Sequence, residues 1–187
     1  MDNNTGRSGI TKNITLIALS VAFFSVCSYI AVPFISGMSF TLQLFAVFFI
    51  AGALDLKKSL TAIIIYVAAG LIGLPVFSLF RGGISVLMGP TGGYLLAFIP
   101  SVIIIGVSVH IFGKKTGVLT LSMILSLVLC YTVGTLWFVG ISGIAGNESG
   151  IIGVLSVCVL PYVIPDLAKI ALAVYLCRRS QKFTDSL

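Results

Sequence analysis

The feature that most constrains this chain is an alternation. Apolar runs of about membrane-crossing length are joined by connections that are basic, then free of base, then basic again. At roughly 20 apolar residues per crossing of a ~30 Å hydrocarbon core, the runs fall at 14–32, 40–56, 59–75, 93–112, 118–140 and 151–177. The second and third are short for the task. Arg7 and Lys12 precede the first run, and Lys57 and Lys58 separate the second from the third. Lys114 and Lys115 separate the fourth from the fifth, and Arg178, Arg179 and Lys182 follow the sixth. The connection at 33–39 has no charge, and the one around Asn147 and Glu148 has no base. Six crossings put all nine of these bases on one side, which the positive-inside rule makes cytoplasmic together with both termini. An odd number of crossings breaks the pattern.

A soluble alternative fails on composition. The 187 residues are 58% hydrophobic and 9% charged, against about a quarter charged in ordinary globular domains. The expected fold is therefore an all-α membrane protein, one six-helix domain spanning 1–187 with no polar linker to divide it. The first run follows two bases as a signal peptide would. It is long, however, and lacks an A-x-A-type site before Pro33, so a retained helix is expected. The net charge of +6 belongs to loops beside anionic headgroups and calls for no nucleic acid. Cys27, Cys130, Cys158 and Cys177 stand singly in apolar runs and read as packing or lipid-facing residues. The single histidine, His110, sits near Lys114 and Lys115 and reads as interfacial, so neither a metal nor a cofactor is expected.

Catalysis finds no support. Five acids and one histidine supply no H-E-x-x-H, no acid pair within a run and no serine–histidine arrangement. GPTGGY (89–94) and FGKKTG (112–117) both miss the phosphate-loop spacing G-x-x-x-x-G-K-[ST], so the chain does not hydrolyse ATP by that route. A channel is disfavoured by the features that follow, which suggest occlusion.

Two bases stand outside the cytoplasmic set, Arg81 and Lys169. Lys169 lies in PYVIPDLAK (161–169), three residues after Asp166, a spacing that puts acid and base on one helix face. Counted from Cys177 at about 1.5 Å per residue, Lys169 lies roughly 12 Å into the bilayer. Each ionised group there costs about 2.5–3.5 kcal/mol, so the two should face each other and a cavity. Two readings are open: a structural ion pair, or the polar floor of a ligand site. Pro161 and Pro165 favour the floor, because they are expected to interrupt the helix and let Asp166 begin a fresh turn.

Arg81 lies in GLPVFSLFRGGISVLMGPTGGY (73–94), too long for a tight turn and too rich in glycine and proline for a helix. Its apolar residues would prefer burial. A glycine-hinged outer lid folded over the pocket satisfies both features, with Phe77, Phe80 and Leu87 supplying apolar wall. Tyr131 and Trp137 fall in the fifth run, Trp137 near the outer end where interfacial anchoring is normal. Asp55, beside Lys57 and Lys58, reads as a headgroup-level charge. Ala18 and Ala22 form A-x-x-x-A, a spacing that admits a close helix neighbour, either internal or from another chain.

Several of these segments together resemble one family. GLPVF (73–77), Gly82–Gly83, GPTGGY (89–94), FTLQLFAVFFIAG (40–52) and PYVIPDLAK are similar to signatures of the BioY family, the biotin-specific substrate-binding (S) components of energy-coupling factor (ECF) transporters. The likeness runs from about residue 14 to 178. It implies a six-helix S-component bundle in a bacterial cell membrane that binds biotin with high affinity. It also implies two ATP-hydrolysing partner subunits and a transmembrane coupling subunit, whose action topples the binding protein toward the cytoplasm. The same architecture serving another vitamin, thiamine or riboflavin, is the alternative. Carried over by position, the substrate-binding residues are Arg81, Asp166, Lys169, Gln43, Tyr94, Gly82 and Gly83, and Ala18 and Ala22 become the contact for the coupling subunit. Asp166 would accept ureido N–H groups, Lys169 would donate to the ureido carbonyl, and Arg81 would take the carboxylate; Lys169 on the carboxylate is the opposite assignment. The chain departs from the family pattern at Arg81, where asparagine is common, and at Pro165, where glycine is common.

Overall fold

The computed structural model describes residues 3–33, 39–144 and 159–185. Cys158, the loop around Asn147 and Glu148, residues 151–158 of the expected sixth run, and most of the 33–39 connection lie outside them. Helix α1 (Asn3–Tyr29) leads into a small antiparallel ribbon, β1 (Ala31–Pro33) with β2 (Ser39–Thr41). Then come α2 (Gln43–Ala53), α3 (Leu56–Leu71), a 3-10 turn (Ser78–Phe80), α4 (Ile84–Leu87), α5 (Gly92–Phe112), α6 (Thr116–Ile144) and α7 (Leu160–Asp185).

Among the described residues, four stretches are long and apolar enough to cross a membrane: Gly9–Tyr29, Gly92–Phe112, Thr116–Ile141 and Leu160–Gln181. The expected second and third runs are shorter as helices than as apolar strings. The 11 residues of α2 span about 16 Å and the 16 of α3 about 24 Å. What looked like the start of the second run is instead β2. Helices α1 and α7 themselves carry the basic residues, Arg7 and Lys12 within the first ten residues of α1 and Arg178, Arg179 and Lys182 within the last eight of α7.

A helix that is apolar all round belongs inside a bundle, and QLFAVFFIAGA is such a sequence. Accordingly α2 is the buried centre, packed mainly on α7 and α5 and also against α1 and α3. The outer helices follow in the order α1, α3, α5, α6, α7. Their closest seam joins α5 to α6. A side chain at Gly93 would collide with Trp137, and one at Gly134 with Tyr94. Further along the seam, the Ser126 hydroxyl donates to the Ser101 carbonyl at 3.2 Å. Small residues here let two long helices approach closely.

The base-rich connections meet at one end. Lys114 Nζ donates to the Ala53 carbonyl at 2.6 Å, satisfying an orphan acceptor at the end of α2. Arg178 donates to the Lys114 carbonyl at 3.0 Å, and Lys58 pairs with Asp55 at 2.9 Å. The glycine-rich segment, Trp137 and the first turns of α5 and α7 lie at the opposite ends of these helices. Cys27, Cys130 and Cys177 are buried packing residues.

Candidate functional site

The site starts from α7. Its Asp166 and Lys169 are both more than nine-tenths buried, and Lys169 Nζ lies 2.6 Å from Asp166 Oδ1. Prolines 161 and 165 do not break the helix as expected. Pro161 falls in the first turn, where a missing N–H costs nothing, and Pro165 is carried within the helix. The acid and base therefore share one face of a continuous helix. From α6, the Tyr131 hydroxyl donates to Asp166 Oδ2 at 2.6 Å. From β2, the Phe40 ring lies 4.0 Å from Lys169 Nζ, a cation–π distance. Each carboxylate oxygen thus has one donor and a lone pair to spare, and the ammonium keeps protons beyond the one given to Asp166. Such a pair can accept from an N–H and donate to a carbonyl at the same time.

Asp166, Lys169 and Tyr131 line a cavity of ≈ 120 Å³ with Gln43, Tyr94 and Arg81. That is below the ~300–1,000 Å³ of drug-sized ligand sites, so the enclosed part suits a compact ring better than a flat tricycle. Arg81 is exposed, with its Nε 3.4 Å from the Ser78 carbonyl, and marks the mouth. Five of the seven residues expected at the site therefore converge on one cavity. Gly82 and Gly83 do not line it. Gly82 packs so tightly on the Leu74 carbonyl that no Cβ would fit, and Gly83 holds φ at +94° while its N–H donates to the Gly70 carbonyl at 2.7 Å. Both glycines shape the backbone that brings Arg81 to the mouth.

The expected glycine-hinged lid is a strap tied down along its length. Tyr29 donates to the Pro75 carbonyl at 2.8 Å, while Ser28 and Tyr66 approach the Val76 carbonyl at 2.6 and 3.0 Å. Phe77 is 1% exposed and fills the space left by Gly70. At the far end Trp137 Nε1 donates to the Gly89 carbonyl at 3.1 Å. Trp137 therefore pins the strap, where an interfacial anchor was expected. The proposed apolar wall also changes. Phe77 belongs to the core, Phe80 stacks on Tyr29 at 4.2 Å, and Leu87 packs against the core. The apolar lining comes instead from Leu44, Val86, Leu95 and Phe98.

Sequence reasoning missed Tyr131, Tyr162, Thr41 and Thr91 in the lining. For Tyr131 a signal existed: it lies in the middle of a long apolar helix, away from the ends where interfacial tyrosines gather. Ala18 and Ala22 are exposed on α1, next to Leu19 at 66% and near Val26 at 55% exposure. Internal helix packing is thus not their role among the described residues.

Comparison with known proteins follows the same lines. A family model described as the BioY family matches residues 1–186. The chain is 37% identical over 170 residues to the probable biotin transporter BioY of Pyrococcus horikoshii, covering 91% of this chain and 96% of that protein. It is 35% identical over 158 residues to the biotin transporter BioY of Thermotoga maritima, covering 84% and 79%. Among solved structures it is similar to the crystal structure of the S-component for biotin from an ECF-type ABC transporter. The TM-score is 0.81 at 25% identity, over 97% of this chain and 95% of the other. With four membrane-length helices and these relatives, the chain is a multi-pass membrane protein.

Proposed function

The chain belongs to the BioY family, and from that premise we propose that it binds biotin and delivers it for uptake as the S-component of an ECF importer. One observation carries the substrate reading: a buried acid–base pair, steadied by a tyrosine, at the floor of a cavity with an arginine at its mouth. Biotin has a ureido ring with two N–H donors and a carbonyl acceptor, and a valerate tail ending in a carboxylate. Asp166 accepts from a ureido N–H, Lys169 donates to the carbonyl, and Arg81 takes the carboxylate, which needs a charged fork in contact with solvent. Gln43 and Tyr94 complete the wall. The chain itself carries no ATP-hydrolysing machinery; the partner subunits supply it.

The test is equilibrium binding of radiolabelled biotin to purified protein, with thiamine and riboflavin as competitors. Wild type should bind biotin selectively, and Asp166→Asn and Lys169→Ala should each weaken binding by roughly tenfold to a hundredfold, since each removes a ligand hydrogen bond to a charged group, worth about 1.5–3 kcal/mol. Absence of biotin binding overturns the substrate; binding untouched by either change overturns the site.

The finer topology belongs to the same proposal. Six helices cross, with α2 and α3 as the short members and both termini in the cytoplasm. Its support is the meeting of Lys58, Lys114 and Arg178 at one end of the bundle. The membrane is the cell's bounding membrane. The exposed Ala18 and Ala22 face meets the transmembrane coupling subunit, which in turn joins two ATPase subunits. Replacing both alanines with tryptophan should leave biotin affinity within about twofold of wild type, as expected for substitutions away from any site, and abolish co-purification with the coupling subunit. Normal assembly would refute the contact.

A further inference from the structure

Behind the cavity runs a hydrogen-bond chain whose direction is set by its far end. The Val76 carbonyl on the strap can only accept. Two hydroxyls approach it, Ser28 at 2.6 Å and Tyr66 at 3.0 Å. Ser28 has a second acceptor, the Ser25 carbonyl at 2.7 Å, for its single proton. Tyr66 is fully buried, its ring held 5.4 Å from that of Phe24 and 5.6 Å from that of Phe77. The Tyr66 hydroxyl donates to the Val76 carbonyl at 3.0 Å. With its proton committed there, the Tyr66 oxygen can only accept, and the group 2.7 Å away is the side-chain amide of Gln43. Gln43 must therefore turn its NH2 toward Tyr66. The NH2/O assignment of an amide is inferred from its network, and a Tyr66 proton given to Val76 favours this one. The carbonyl arm, Gln43 Oε1, is then the arm left for the cavity that Gln43 lines.

We propose that Tyr66 is a positioning residue that sets ligand specificity by locking Gln43 as a hydrogen-bond acceptor, so that the cavity requires a ligand N–H there and rejects a ring oxygen. Tyr66 touches no ligand. It acts through Gln43, and the same hydroxyl ties that requirement to the strap through Val76. Naming the donor as a ureido N–H rests on the biotin reading; the orientation of Gln43 does not.

Three measurements test this. In wild type, a biotin analogue with one ureido N–H replaced by oxygen should bind on the order of tenfold weaker when the replacement faces Gln43. An analogue with the replacement facing Gln43 that binds as tightly as biotin overturns the proposal without any variant. Tyr66→Phe keeps the ring and removes the hydroxyl. It should weaken biotin binding by on the order of tenfold and shrink the discrimination against the analogue. Gln43→Leu should lose a similar factor, and the double variant should be no worse than Gln43→Leu alone. Additive losses would show that Tyr66 acts independently of Gln43 and overturn the assignment. The third readout needs no ligand. In protein labelled with 15N-glutamine, the Gln43 NH2 signal, identified by its loss in Gln43→Leu, should exchange slowly in wild type and at least tenfold faster in Tyr66→Phe. An unchanged signal overturns the proposal even if the protein proves not to bind biotin, which would count against the substrate alone.

Discussion

Two four-residue stretches, DLKK at 55–58 and DLAK at 166–169, are nearly the same sequence and form nearly the same ion pair. Each brings an aspartate and a lysine together at i,i+3, at 2.9 Å in the first and 2.6 Å in the second. Their surroundings differ. Asp55 is the residue before α3 begins, and its side chain is 72% exposed. Asp166 lies within α7, and its side chain is 6% exposed. The first pair sits in water or among headgroups, where it contributes about 0.2–1 kcal/mol and is screened by salt. The second is held by residues from other helices and confronts a cavity. Identical local chemistry is a helix-start decoration in one place and part of a cavity wall in the other.

That contrast can be broken most forcefully at Lys169. Lys169→Ala strands an ionised carboxylate in the bundle and should lower stability by about 3–5 kcal/mol, read as a large drop in thermal midpoint in detergent. Combining Asp166→Asn with Lys169→Met removes both charges and should recover most of that stability without recovering biotin binding. Recovery of both would make the pair purely structural. Tyr131→Phe comes next. It leaves Asp166 Oδ2 without its donor and should cost about 1–3 kcal/mol, seen as weaker biotin binding with the fold retained.

The exposed pair should give the smallest effect. Asp55→Asn is expected to change stability by under about 1 kcal/mol, and the change should vanish in high salt. The Asp55 carboxyl is held below its ordinary range, first by the hydrogen bond from Lys58, against a smaller opposing push from burial, and with the positive charges of Lys58 and Lys114 assisting. A depressed folded-state value means the stabilisation is present above the unfolded carboxyl value near ~3.9 and is lost as pH falls through the folded one. Wild type should show this small acid step, and Asp55→Asn should lack it. A loss at Asp55 as large as that at Lys169 would erase the distinction drawn between the two pairs.

The charge alternation was legible because it depends only on where bases fall between apolar runs. The buried pair was legible because an acid and a base three residues apart inside such a run need each other. Gln43, Tyr94 and Arg81 were reachable through the family likeness, and they do share the cavity with the pair. The partners of Tyr131, Trp137 and Phe77 were not legible for a common reason. An aromatic in a membrane helix can face lipid, the interface or the interior, and hydropathy scores all three alike. Their roles depend on partners far along the chain: Asp166 lies 35 residues from Tyr131, and Gly89 lies 48 from Trp137. The glycine-rich segment was misread for a related reason. Glycine content reports what the backbone is permitted to do, whereas the tethers to Ser28, Tyr29, Tyr66 and Trp137 decide what it does.

From sequence alone came the solvent, the grouping of the bases between apolar runs and the membership of Asp166 and Lys169 in one pair. Each follows from composition or from spacing along a single helix, both local properties. Only the tertiary structure decided that Asp166 and Lys169 meet Tyr131 and Gln43 around one cavity, that the strap is pinned, and that Gly82 and Gly83 shape the backbone. Those outcomes require residues from separate helices to meet in a dry interior, where one hydroxyl proton can be given to only one acceptor.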